Sequence, residues 1–145
     1  MSIALPAWLA WAGLSACFAA LTAVFAKAGV RDVDSDLAMA LRTIIVALLV
    51  VPFVVITGKW ADPFALPARA KAFLVLSALA TGASWLCYFR AIQVGELAKV
   101  AVVDKTSVVL VLLFAVVFLG EKPSGRDWLG MLLVLSGLAM LAFRR

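Results

Sequence analysis

The sequence predicts an all-α integral membrane protein of five transmembrane helices in a single domain over residues 1–145, and three observations carry that expectation. Apolar residues make up 66% of the 145 and charged residues only 14%, where an ordinary soluble domain is roughly half apolar and a quarter charged. The apolar residues gather into five runs, each able to cross a hydrocarbon layer of about 30 Å, which takes roughly 20 residues of helix. The separators between the runs are short, polar and rich in helix-stopping residues.

The first span runs from Trp8 to Ala26 and ends at the polar stretch Gly29 to Asp36. The second runs from Leu37 to Thr57, before a separator from Gly58 to Lys71 that holds Pro63 and Pro67. The third covers Ala72 to Ile92, and Gln93 to Leu97 divides it from the fourth, Ala98 to Leu119. The fifth runs from Trp128 to Phe143 after Gly120 to Asp127, where Pro123 lies. Proline in a separator forfeits an N–H that no helix needs. A β-barrel would show alternating apolar residues in segments of about ten, and the sequence has none.

Several function classes fall away. With no histidine in the chain, imidazole metal ligation and a histidine proton relay are excluded. Gly-rich phosphate loops, paired catalytic carboxylates and Cys-x-x-Cys pairs are absent, so neither an enzyme nor a cofactor is expected, and nothing points to nucleic acid. Leu14-Ser15-Ala16-Cys17 has the look of a lipoprotein cleavage box. No Lys or Arg precedes it, however, and the apolar run continues past Cys17, as in a retained helix. Cys17 and Cys87 both fall inside spans and are expected to be buried packing thiols.

An odd number of spans puts the two termini on opposite sides of the membrane. The side holding Met1 carries Lys59, Arg69, Lys71, Lys122 and Arg126, and the side holding Arg145 carries Lys27, Arg31, Arg144 and Arg145. Lys/Arg bias in short loops sets orientation, and five against four barely votes. Either the span boundaries are imperfectly drawn, or the chain inserts both ways and pairs antiparallel.

Ionisable residues collect at one end of the spans. Arg42 lies about one and a half turns inside the second, Arg90 near the end of the third, and Asp104 and Lys105 about two turns inside the fourth. At the bilayer centre each would cost about 2.5–3.5 kcal/mol. The arginines can snorkel to the surface, while Asp104 and Lys105 need partners or water. Neighbours on a helix point about 100° apart, so these two are expected to look to other helices, Asp104 towards Arg42 or Arg90. Two readings stand: the pairs lock helix packing, or they line a polar cavity that touches solute. Cations outnumber acids there, with Arg42, Arg90, Lys105, Lys99 and Lys27 against Asp104 and Glu96, which favours an anionic ligand.

The third span adds Thr81, Gly82, Ser84, Trp85 and Tyr88. Trp85 and Tyr88 share a face, as do Ser84 and Tyr88, and they form either a cavity wall or ordinary packing. In the fifth span Gly130 and Gly137 bare two turns of one face, a seam for close helix approach within the bundle or across a dimer.

Asp104-Lys105-Thr106-Ser107, the apolar helix after it, Leu119-Gly120-Glu121, and then Gly130 and Gly137 resemble the EamA domain of the drug/metabolite transporter superfamily. Ser84-Trp85-Leu86-Cys87-Tyr88-Phe89-Arg90-Ala91 resembles the third helix of its short, five-helix members, and residues 20–27 and Leu41-Arg42-Thr43 fit the same group. The resemblance covers essentially the whole chain. Most such proteins carry ten helices as two inverted five-helix halves around a solute path, so it implies that this chain supplies one half. It further implies a bacterial or archaeal inner membrane and a working unit of two copies, as an antiparallel homodimer. The family's four-helix multidrug branch carries a Glu in its first helix. Here the first span has no carboxylate, so Asp104 would have to take that role. The expected function is a secondary transporter, exporting a small metabolite or amphiphile from the bilayer-embedded dimer by alternating access. Asp104, Lys105, Arg42, Arg90, Ser84, Trp85 and Tyr88 would bind solute between the first four helices, and Gly130 and Gly137 would pack. The alternative is a non-transporting module that completes or regulates a partner membrane protein.

Overall fold

The computed structural model of the chain describes residues 6–142, and the elements within them are helical, with no strand. Five stretches are long and apolar enough to cross a membrane. Phe143, Arg144 and Arg145, which the sequence places in the last span and its flank, lie outside the described residues. The chain is laid out as two compact units, Met1–Val94 and Gly95–Arg145.

The first unit holds α1 (Ala7–Gly29), α2 (Ser35–Ile56) and α3 (Ala68–Val94). The start of α2 is set by Asp34, whose carboxylate accepts from the backbone N–H groups of Asp36 and Leu37, both at 3.0 Å. That cap satisfies two of the orphan donors of a helix N-terminus, starts α2 at Ser35, two residues before the expected Leu37, and so puts Asp36 on the helix. The end of α2 is a left-handed turn at Gly58, with φ 66°. Gly58 N–H reaches the Val55 carbonyl at 3.0 Å and Lys59 N–H the Val54 carbonyl at 3.1 Å. This paired closure needs a residue without a Cβ penalty at positive φ. Pro52 sits inside α2, where it withholds one helical N–H, a defect that spanning helices tolerate. A short 3-10 turn, Pro63–Ala65, precedes α3. Both α1 and α2 pack on α3.

The second unit holds α4 (Leu97–Asp104), α5 (Ser107–Leu119) and α6 (Gly125–Ala142), with α4 against α6. The single fourth helix expected over 98–119 is therefore two helices. Thr106 Oγ donates to the Val103 carbonyl at 2.7 Å, an alternative to the helical ladder that Ser and Thr side chains offer. Around it Thr106, Val108 and Val109 N–H groups bond three residues back, to Val103, Lys105 and Thr106, at 3.0–3.1 Å, the tighter 3-10 pattern. Gly120, with φ 69°, ends α5 and turns Glu121 N–H back to the Ala115 carbonyl at 3.1 Å. Ser124 and Asp127 cap α6 reciprocally: Ser124 N–H and Oγ donate to the Asp127 carboxylate at 2.7 and 2.8 Å, and Asp127 N–H donates to Ser124 Oγ at 3.4 Å.

The buried apolar side chains among the described residues are Val30, Phe89, Ile92 and Ala115, while large ones such as Trp11, Leu48, Phe73 and Phe118 stand exposed. Packing within the chain thus leaves most apolar faces uncovered, which suits helices whose solvent is hydrocarbon. Cys17 and Cys87 are exposed free thiols, a correction to the buried packing expected of them. With so few buried positions in each unit, a small apolar residue inside a span need not face a core.

Candidate functional site

In the first unit a cleft of about 620 Å³ opens between α1 and α2, with Phe89 of α3 in its wall. Thr22, Phe25, Ala26, Gly29, Leu41, Arg42 and Ile45 contribute to the lining. The size falls inside the range of about 300–1,000 Å³ common to small-molecule sites. The wall is apolar apart from the Thr22 hydroxyl and the Arg42 guanidinium.

Arg42 is the seventh residue after the first of α2, about 10 Å along its axis, and is half-buried. Its Cζ lies 4.5 Å from the centre of the Trp85 ring and 5.7 Å from that of Phe89, both within the reach of a cation–π attraction. Among the described residues no carboxylate lies within 4.0 Å of it, and no protein acceptor takes its N–H groups. Stacking on two aromatic faces stands in for the counter-ion that a charge in a span ordinarily requires.

Arg90 is placed differently from the expectation. Its Nε and Nη2 donate to the two Asp36 oxygens at 2.9 and 2.6 Å, the fork geometry that a guanidinium offers a carboxylate. Beside this pair Lys27 Nζ donates to the Ile92 carbonyl at 2.5 Å, and Gln93 Nε2 to the Val33 and Val30 carbonyls at 3.0 and 3.4 Å. The last turn of α3 leaves carbonyls without helical donors, and the Lys27 ammonium covers one of them. These contacts tie the end of α1 and the start of α2 to the end of α3, around the buried Val30, Ser35 and Ile92. Asp36 is the functional candidate that sequence reasoning missed, because the stretch up to Asp36 reads as a loop. The signal was there in the Asp-Ser-Asp run, with a cap and a first-turn acid at the same membrane end as Arg90.

In the second unit Asp104 and Lys105 pair with each other, Nζ to Oδ2 at 3.2 Å, and Lys99 pairs with Glu96 at 3.2 Å. The expectation that Asp104 and Lys105 point apart is corrected here. It assumed an unbroken helix, and α4 ends at Asp104, so Lys105 lies in the turn and its flexible stem folds back.

Of the residues expected to bind solute, then, Arg42 lines the cleft, and Trp85 lies beneath it. Tyr88 is half-buried and Ser84 exposed on α3, outside the lining. A Cβ built at Gly130 or Gly137 would meet no atom within 4 Å, so the described residues make no close approach to that seam. Among those residues there is no group of His, Cys, Asp and Glu able to hold a metal ion.

Comparison with known proteins gives the family. The sequence pattern of the EamA-like transporter family matches residues 6–143. A Sinorhizobium sp. protein described as "Uncharacterized transporter in cobO 3'region" is 50% identical over 135 residues, which is 93% of this chain and 96% of that protein. No solved structure matches. The apolar helices are thus those of a multi-pass membrane protein, and the chain belongs to the EamA-like transporter family.

Proposed function

We propose that the chain is a secondary transporter that works as a homodimer, moving a small metabolite or amphiphile outward by alternating access. The observation that carries this reading is the cleft of about 620 Å³ with a cation in an otherwise apolar wall, a feature that packing alone does not require. Solute bound there would move as one half rocks against the other. Two copies are favoured by size: the alignment takes in 96% of the Sinorhizobium relative, which is therefore about as long as this chain. Gly130 and Gly137, without a neighbour within 4 Å, offer a surface for close approach by a second copy. Antiparallel pairing of the two copies would supply an inverted repeat, and the near-balanced loop charges leave both orientations open. Asp104 is the candidate proton carrier of the second unit.

The test is reconstitution of the purified chain alone in liposomes. Flux of a preloaded amphiphile together with a cross-linked dimer through cysteines placed at Gly130 or Gly137 is the expected result. Labelling of a reporter near residue 142 from both sides is expected of antiparallel pairing, and from one side only overturns it. A transport rate independent of pH, with Asp104→Asn fully active, would remove the proton role.

The pairing of Arg90 with Asp36 and of Lys105 with Asp104 favours a second reading, a non-transporting module whose charges only hold its helices. Absence of flux for the chain alone, restored by a co-expressed membrane partner, would establish it.

A further inference from the structure

We infer that the cleft of the first unit is a monoanion-selective subsite, in which Arg42 receives the carboxylate-like oxygen pair of an amphiphile whose apolar body lies against Phe25, Ile45 and Phe89. As an account of cargo the inference rests on the transporter reading, but binding can be measured without transport.

Among the described residues Arg42 is the one charged side chain that lines the cleft. Of the other cations at that end of the unit, Arg31 is exposed and outside the lining, Arg90 has both carboxylate oxygens of Asp36, and the Lys27 ammonium is directed to the Ile92 carbonyl. The geometry of the stack then matters. Cation–π contact uses the face of the guanidinium plane, whereas its five N–H donors lie around the edge. With Trp85 and Phe89 holding the face and no acceptor on the edge among the described residues, the edge is left for a bidentate acceptor. A carboxylate matches that fork. An ammonium head would be repelled, and a neutral amide would forgo the charge-assisted bonds. One guanidinium against one hydroxyl, that of Thr22, suits a monoanion. A free solute and, through its phosphodiester, an anionic lipid both carry such a head; the shared chemistry is a monoanionic oxygen pair on an apolar body.

The full chain in phosphatidylcholine nanodiscs is titrated with N-dansyl-phenylalanine, with its uncharged amide, and with dansylcadaverine as the cationic counterpart, each read by dansyl fluorescence against empty nanodiscs. The carboxylate is expected to bind about 10- to 100-fold more tightly than the amide, with the cation weakest. Arg42→Gln should bring carboxylate and amide to about equal affinity, and Arg42→Lys, which keeps the charge but not the fork, should fall between. Equal binding of all three probes to the unmodified chain overturns the inference whether or not the variants fold, and so does discrimination that survives in a folded Arg42→Gln. Repeating the titration with phosphatidylglycerol in the discs separates the two sources. Competition with the carboxylate identifies lipid as an occupant of the same subsite, and undiminished binding identifies the free solute; either keeps the subsite. Binding with this selectivity but no efflux from liposomes would keep the subsite and remove the transporter reading, whereas efflux of all three probes alike would do the reverse.

Discussion

The stack of Arg42 on Trp85 can be weighed by a double-mutant cycle. Trp85 lies 4.5 Å from the guanidinium carbon and Phe89 5.7 Å. A cation–π pair contributes about 0.5–1 kcal/mol when exposed and about 2 kcal/mol when desolvated, so about 1 kcal/mol is expected for a half-buried Arg42 on Trp85. An ion–quadrupole attraction falls off roughly as the inverse cube of distance, so the longer separation roughly halves the term, and phenylalanine has the weaker face. The coupling of Arg42 to Phe89 should then be about 0.3–0.5 kcal/mol. The single variants would mislead. Phe89 is only 3% exposed, so Phe89→Leu disturbs packing by an amount unrelated to charge, up to about 1.5 kcal/mol. The cycle removes that common cost. Unfolding free energies of Arg42→Met, Trp85→Leu, Phe89→Leu and the two doubles, from denaturant titration in mixed micelles, give both couplings. A Phe89 coupling at or above that of Trp85, or a Trp85 coupling below about 0.3 kcal/mol, would refute the stacking account of how the span carries an unpaired cation.

Two further outcomes follow from the caps and clasps. Lys27→Met should strand the Ile92 carbonyl and lower stability by about 1–3 kcal/mol, with amide exchange rising at the end of α3, whereas Lys27→Arg should recover most of the loss. Gly120→Ala should cost about 1–2 kcal/mol, because φ is 69° there while a Cβ would meet no atom within 4 Å; a thermal midpoint unchanged from the parent would mean that the turn relaxes out of the left-handed region.

How far the sequence could be read depended on the kind of force at each place. Span length and composition report transfer into hydrocarbon, a bulk property, so five membrane-crossing stretches were legible without any contact. Their ends were less so, because they are set by single hydrogen bonds: Asp34 starts α2 at Ser35 rather than Leu37, and Ser124 with Asp127 starts α6 at Gly125 rather than Trp128. The pairing of Arg90 with Asp36 is hidden for the same reason, since a single cap at Asp34 is what puts Asp36 on a helix. Arg42 and Trp85 could each be singled out as polar or aromatic residues in a span. That they stack on each other depends on the rotation of α2 against α3, about which hydropathy is silent. The division of the fourth span at Asp104–Thr106 was hidden by the apolar residues that continue on either side of it.

That division gives the fourth span two descriptions. Measured along the chain, Leu97–Leu119 is one apolar segment of 23 residues, enough for an insertion machinery to pass into the bilayer in a single step. Measured as rods, α4 and α5 have 8 and 13 residues, about 12 and 20 Å, and neither alone crosses a hydrocarbon layer of about 30 Å. At the junction the negative pole of one peptide-dipole array is set close to the positive pole of the next. Lys105 stands at the cap of α4, where a cation is favoured, and Asp104 just ahead of α5, where an anion is favoured. Asp104 is also the last residue of α4 and adds to the negative pole of that helix, so the Lys105 ammonium offsets a helix end as well as a carboxylate, and removing it would leave both electrostatically exposed within the span.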